Sequence, residues 1–205
     1  METKKQIRTR IRNERAALNP KMRQAFSDKI FEQIISHPLY RHAGEIYCYV
    51  SFVEEVSTEK LISYSLKMGK KVAVPKIIVD NFAAKENISD LQEKSVTFKQ
   101  KRKMEFYYIE GTDELSEGYF GIMEPPEKTP ACGDNVLVVM PGVAFDRQCN
   151  RIGYGKGFYD SYLKQHPQFR RIALAYSMQC LDTFPAEAHD IRPEMIITEE
   201  ETYTC

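Results

Sequence analysis

The chain carries no excess of either charge: 29 Lys and Arg stand against 29 Asp and Glu, a formal net charge of zero. A duplex nucleic-acid binder calls for a basic surplus that meets phosphates, and the chain as a whole offers none. Long apolar runs are missing too. No stretch approaches the ~20 residues that a membrane-spanning helix needs, and the opening METKKQIRTRIR holds no apolar core of a secretory signal. Five cysteines (Cys48, Cys132, Cys149, Cys180, Cys205) contain no CxxC spacing, which argues against a zinc ribbon or a thioredoxin-type pair. The four histidines, His37, His42, His166 and His189, lie in polar segments and suggest no Ser/His/Asp or Cys/His arrangement. His189 reads as a surface loop residue. Repeats, low-complexity tracts and linkers are absent. These features predict a reduced, cytoplasmic, soluble protein without nucleic-acid or membrane partners.

The remainder reads as an ordinary globular chain. With 205 residues, 42% apolar and 28% charged, it can bury roughly 70% of its unfolded surface without a metal or disulfide staple. Thr3 and Gln6 form a capping box for a helix running to about Leu18. On it Lys4, Ile7, Arg8, Ile11 and Arg15 share one face, which is either a solvated basic face or an anion site. Asn19-Pro20 opens a second helix carrying Phe26, Ile30, Phe31, Ile34 and Ile35. IYCYVSFV (46–53) reads as a buried strand, Ser57 or Thr58 as the cap of the next helix, Gly69 as its stop, and KVAVPKI (71–77) as another strand. Together they make a right-handed βαβ unit. ENISDLQEKS (86–95) reads as a surface excursion, MEFYYI (104–109) as a strand and GYFGIMEPPEKTP (118–130) as a loop. LVVM (137–140), RRIALAYS (170–177) and EMIITEE (194–200) supply further strands, and FYDSYLKQ (158–165) a helix. The expected fold is a single α/β domain, residues 1–205, with a mostly parallel central sheet flanked by helices.

The chemistry concentrates in VLVVMPGVAFDRQCNRIGYGKGFYDSYL (136–163). A buried strand feeds a loop with Arg151, Gly153, Gly155, Lys156 and Gly157, and a helix follows. Glycines let backbone N–H groups approach a ligand, the helix start adds partial positive charge, and Arg151 and Lys156 add full charges. The pattern fits neither a Walker A loop nor GxGxxG. A mobile glycine loop is the bland alternative, and the cations favour phosphate binding. Asp160, in the first turn, either compensates the helix dipole or holds magnesium beside phosphates.

KKQIRTRIRNERAAL, YVSFVEEVST, VAVPKI, GIMEPPE, MPGVAFD and NRIGYGKGFYD together resemble the 5-formyltetrahydrofolate cyclo-ligase family, across nearly the whole chain. The resemblance implies an α/β enzyme that uses ATP and Mg²⁺ to convert 5-formyltetrahydrofolate into 5,10-methenyltetrahydrofolate, and a monomer is expected. It assigns ATP binding to Lys4, Lys5 and Arg8, and to Arg151, Ile152, Gly153, Tyr154, Gly155, Lys156, Gly157, Phe158 and Tyr159. Catalytic roles fall to Lys156, Arg151 and Tyr154, magnesium to Asp160 and Asp190, and folate contacts to Val50, Glu55, Phe120 and Tyr154. Of the adjacent acids, Glu55 is expected to face folate and Glu54 to be solvated. Two departures stand out. Cys149 occupies the glycine of the family pattern DxxGxR, at a cost of about 1 kcal/mol if that residue needs positive φ, and Glu194 replaces a usual aspartate. Another ATP-dependent ligase or kinase, and a non-catalytic folate binder, are the alternatives.

Overall fold

Thr3 caps the first helix as its spacing predicts. Its hydroxyl accepts from the Gln6 N–H, and the Gln6 side chain accepts from the Thr3 N–H at 2.9 Å. We describe the protein from a computed structural model, covering residues 2–80, 101–187 and 190–205. The surface excursion expected at 86–95 and His189 therefore lie outside the described residues. Helix α1 spans Lys4–Ala17, and α2 (Pro20–Ser36) begins at the Asn19 cap, whose side chain accepts from the Lys21 N–H at 2.8 Å. A short α3 (Pro38–His42) leads into β1 (Glu45–Cys48), then α4 (Glu59–Lys67), β2 (Lys71–Asp80) and β3 (Lys101–Ile109). Gly69 ends α4 at φ +74, a conformation that glycine adopts at no steric cost.

The second half opens with β4 (Ser116–Glu117) and β5 (Met123–Glu124), followed by β6 (Val136–Met140), β7 (Ala144–Asp146) and β8 (Arg151–Ile152). Helix α5 (Phe158–Gln165), β9 (Arg170–Leu174), β10 (Cys180–Leu181), β11 (Met195–Ile197) and β12 (Thr202–Thr204) complete the described elements. Among the described residues, seven strands make the main sheet, ordered β12-β11-β9-β6-β1-β2-β3. From β11 to β2 all pairings are parallel, and β12 and β3 close the edges antiparallel. The chain leaves β1 toward β2 on one side and later returns to β6 on the other, so the strand order reverses between β1 and β6. In open α/β sheets such a reversal leaves a crevice beyond the carboxyl ends of the strands.

Side chains alternate across the sheet with a period of two. Ile46, Cys48, Leu137 and Val139 pack with Ile30 and Ile34 of α2 and with Leu61 and Ile62 of α4. Tyr47, Val136, Val138 and Met140 pack on the opposite face with Phe106, Tyr162, Leu163 and Phe169. No helix among the described residues is long and apolar enough to cross a membrane.

Several expectations need correction. The first strand stops at Cys48 and does not run to Val53. Beyond it the Tyr49 carbonyl accepts from the Thr58 hydroxyl at 2.7 Å, and Glu55 N–H donates to the Phe52 carbonyl at 3.0 Å, so local turn bonds replace the ladder. Thr58 caps α4 by position alone, because its hydroxyl serves this loop, also accepting from Ser51 N–H at 3.1 Å. The stretch 118–130 is not loop throughout, for Met123–Glu124 pairs with Ser116–Glu117. Of the cysteines, expected reduced, Cys149 and Cys205 are paired.

Thr58 is fully buried and its hydroxyl bridges both ends of the loop. Thr58→Val keeps the shape and leaves those partners unsatisfied. We expect a loss of about 1–3 kcal/mol, read from the urea midpoint.

Candidate active site

Helix α1 buries one stripe, Ile7, Ile11 and Arg15. The two isoleucines pack on Val143, Ala144, Ile152 and Phe184. That docking lays the helix across the strand-switch crevice, whose lining includes Arg15, Tyr49, Glu55, Val56, Pro141, Gly142, Leu174 and Gln179. Three cations one or two turns apart on α1 then meet three different segments.

At the start of α1, Lys4 Nζ donates to Asp190 Oδ2 at 2.7 Å and to Glu187 Oε1 at 2.9 Å. Burial works to lower the Lys4 pKa, and the two carboxylates outweigh it, so the ammonium is held above its ordinary value. One turn on, Arg8 Nε donates to the Gly153 carbonyl at 2.7 Å. Its guanidinium lies beside Gly155, where a side-chain Cβ would stand 3.6 Å from Arg8 Cζ and where φ is +88. Lys5 faces elsewhere: it lines the outer side of α1 with Thr9, Arg10 and Asn13, away from the glycine loop.

Arg15 is the residue the sequence reading left out of the site. It is 1% exposed, and its guanidinium donates to Gly142 O at 3.3 Å, Glu54 Oε1 at 3.1 Å and Tyr154 OH at 3.0 Å. The Tyr154 hydroxyl in turn donates to Glu55 Oε1. The ring of Tyr154 is 42% exposed while its hydroxyl points inward. Glu55 also accepts from the Phe52 N–H at 2.9 Å. Burial pushes the Glu55 carboxyl above its ordinary value, more than the Tyr154 hydroxyl, the Phe52 N–H and Arg15 pull it down. Its neighbour Val53 sits at φ +38 with Phe52 and Val53 both exposed. A β-branched residue there is strained, and strain of this kind gathers at functional sites.

Glu54 was expected to be solvated. Instead its side chain is 12% exposed, paired with Arg15 and, at 3.5 Å, with Arg12. The reason is the buried guanidinium below it, which needs an anion.

The glycine loop forms as expected, although a hairpin of β7 and β8 intervenes between the buried strand and the loop. Gly157 caps α5 at φ +67. Lys156 is exposed, whereas Arg151, expected to share its anion, is only 5% exposed. Arg151 Nη2 pairs with Asp160 Oδ1 at 2.7 Å, and its other nitrogens donate to Ile191 and Pro141 carbonyls at 3.4 Å. Asp160 Oδ1 also accepts from the Ile191 N–H at 3.0 Å, which joins it to the segment carrying Asp190. Tyr159 keeps a buried hydroxyl without a hydrogen-bond partner, and burial, with Cys48 and Glu55 nearby, holds its pKa well above the ordinary value. Phe158 packs on the aromatic face of the sheet, Ile152 under α1, and Val50 against the α2–α4 core. The backbone of Phe120 lies in the turn Tyr119–Gly121, where Gly121 faces the Phe52 ring, 3.8 Å from where a Cβ would stand.

The crevice at the strand switch and the glycine loop entering a helix put the chain among α/β proteins that take ligands at the carboxyl ends of parallel strands. Residues 1–199 match the 5-formyltetrahydrofolate cyclo-ligase family, and the chain belongs to that family. It is 25% identical to 5-formyltetrahydrofolate cyclo-ligase of Mus musculus, over 96% of this chain and 94% of that one. It is 27% identical to the enzyme of that name from Escherichia coli K12, over 92% and 96%. The fold is similar to the NMR structure of Aquifex aeolicus 5,10-methenyltetrahydrofolate synthetase, with a TM-score of 0.77 at 27% identity, over 98% of this chain and 92% of that one.

The adjacent acids should behave oppositely. Because the native state holds the Glu55 proton more tightly than the unfolded chain does, stability falls as pH rises from the ordinary carboxylate value through the raised one. Glu55→Gln should flatten that slope in urea midpoints measured across pH. Glu54→Gln should instead destabilise the fold by about 1.5–3 kcal/mol, the range for hydrogen bonds to a charged group.

Proposed function

We propose that the chain closes 5-formyltetrahydrofolate to 5,10-methenyltetrahydrofolate, driven by ATP with Mg²⁺. What supports this reading is the placement of Arg15 and Glu55 at the strand switch, with Tyr154 bonded to both and Arg8 held on the glycine loop, in a chain of this family. A formamide carbonyl is a poor electrophile and its oxygen a poor leaving group. Transfer of the γ-phosphoryl to the formyl oxygen releases ADP and answers both difficulties. N10 of the folate then attacks the formyl carbon, its proton departs, and the carbon–oxygen bond breaks to expel phosphate and leave the methenyl bridge.

The residues divide this work by position. Lys156, exposed between Gly155 and Gly157, meets the phosphates together with the backbone N–H groups at the start of α5. Arg8 approaches the same loop from α1, while Lys4 holds the segment that carries Asp190. Arg151 acts from beneath, orienting Asp160. Glu55 holds the folate, with Phe52 and Val53 as an apolar rim, and Tyr154 stands between folate and ATP. The buried, unpartnered Tyr159 hydroxyl is suited to a ligand oxygen.

Asp160 and Asp190 suit magnesium, which takes one or two carboxylates and completes its shell with water and phosphate oxygens. The Ile191 N–H on Asp160 keeps these hard donors on neighbouring backbone. Bound there, the ion would neutralise phosphate charge.

An absorbance rise at the methenyl-folate band on mixing protein, ATP, Mg²⁺ and 5-formyltetrahydrofolate is the direct test, and its absence from folded protein overturns the reading. Lys156→Ala should lower that rate at least ~10-fold, since a charge-assisted bond to phosphate is worth about 1.5–3 kcal/mol. Asp190→Asn should raise the magnesium concentration at half-maximal rate, because an amide oxygen is the weaker ligand for a hard cation. An unchanged magnesium dependence removes Asp190 from the metal site.

A further inference from the structure

Cys149 and Cys205 are separated by 56 residues in sequence, yet their Cα atoms stand 6.0 Å apart with the two sulfurs paired. That distance lies within the ~4.4–6.8 Å over which a disulfide closes without backbone movement. The two residues come from different parts of the fold. Cys149 is buried in the turn joining β7 to β8, at φ +57. Cys205 is exposed, just past the edge strand β12, where its N–H donates to the Glu194 carbonyl at 3.1 Å.

Position 149 is where glycine would be free of strain, since φ +57 suits a residue without Cβ. The turn is otherwise fully fixed. The buried Asp146 side chain accepts from Gln148 N–H at 3.0 Å, Asn150 N–H at 2.9 Å and Asn150 Nδ2 at 2.7 Å, and Cys149 N–H donates to the Asp146 carbonyl at 2.9 Å. These bonds aim Cβ of Cys149 at Phe145, Ala173, Ala175 and Ile196, the patch that the end of β12 covers. Cys180 packs at the same patch, but the sulfur that meets Cys205 is that of Cys149.

We propose that Cys149 and Cys205 are a reversible disulfide site, oxidised by low-molecular-weight disulfides such as oxidised glutathione. The exposed Cys205 gives up its proton and attacks one glutathione sulfur, breaking that S–S bond and releasing the first glutathione thiolate. Cys149 then loses its proton and attacks the Cys205 sulfur of the mixed disulfide, and the second glutathione thiolate leaves. Two protein thiols are oxidised, one glutathione disulfide is reduced, and the two protons end on the two glutathiones. The new bond pins the β7–β8 turn to the sheet edge, with Arg151 of β8 and the glycine loop immediately downstream. It offsets the strain of a non-glycine residue in that turn and restrains the unfolded chain across a long loop.

Native protein equilibrated with oxidised glutathione, alkylated and digested should yield a peptide pair joining Cys149 to Cys205, with the intact mass lower by two hydrogens. In urea the oxidised wild type should unfold roughly ten-fold or more slowly than the reduced form. Cys205→Ser, altered at an exposed position, should unfold at one rate under both conditions. Stable glutathionylation of Cys205 without the crosslink overturns the proposal. So does a redox-dependent unfolding rate that survives Cys205→Ser.

Discussion

A guanidinium taken out of water must be met by anions and carbonyls, or the fold loses several kcal/mol. Arg15 imposes that constraint here. Its position in the apolar stripe of α1 obliges the β1–α4 loop to present Glu54, the glycine loop to present Tyr154, and the end of β6 to present a carbonyl. Two of those segments, the β1–α4 loop and the end of β6, line the crevice. The stripe that docks the helix therefore also sets the separation between Glu55 and the glycine loop, and the site takes its shape from one buried charge.

The same economy runs through the remaining charges. Three further cations are held by named partners: Lys4 by Asp190, Arg8 by the loop carbonyl of Gly153, Arg151 by Asp160. Short paired contacts of this kind fix side chains before a ligand arrives, which lowers the entropy lost on binding.

The legible parts of the sequence were those with a local cause. The capping box at Thr3, the Asn19-Pro20 start, the βαβ unit and the glycine loop are each contained in a few neighbouring residues. The hairpin of β7 and β8 went unread because strands of three and two residues carry no period to detect. The edge strand Thr202–Thr204 escaped for the same reason. Arg15 was seen on the correct face of α1, but an arginine beside isoleucines looks like a surface cation until its partners appear, and all of them lie far along the chain. Glu54 was misjudged as a direct result. The strained turn at Cys149, by contrast, was foreseeable from the family's glycine at that position, and φ +57 is what the structure has there.

Lys4 meets Asp190 across a separation of 186 residues, and Arg8 meets Gly153 across 145. During synthesis α1 precedes every segment that it packs against. Its isoleucine stripe has no surface to cover until Val143, Ala144 and Ile152 have been made, and Phe184 follows later still. Until then the apolar stripe of α1 has no partner, and exposed apolar surface of this kind is prone to association. Docking of α1 must then come late, once the hairpin of β7 and β8 is in place and Phe184 has followed it.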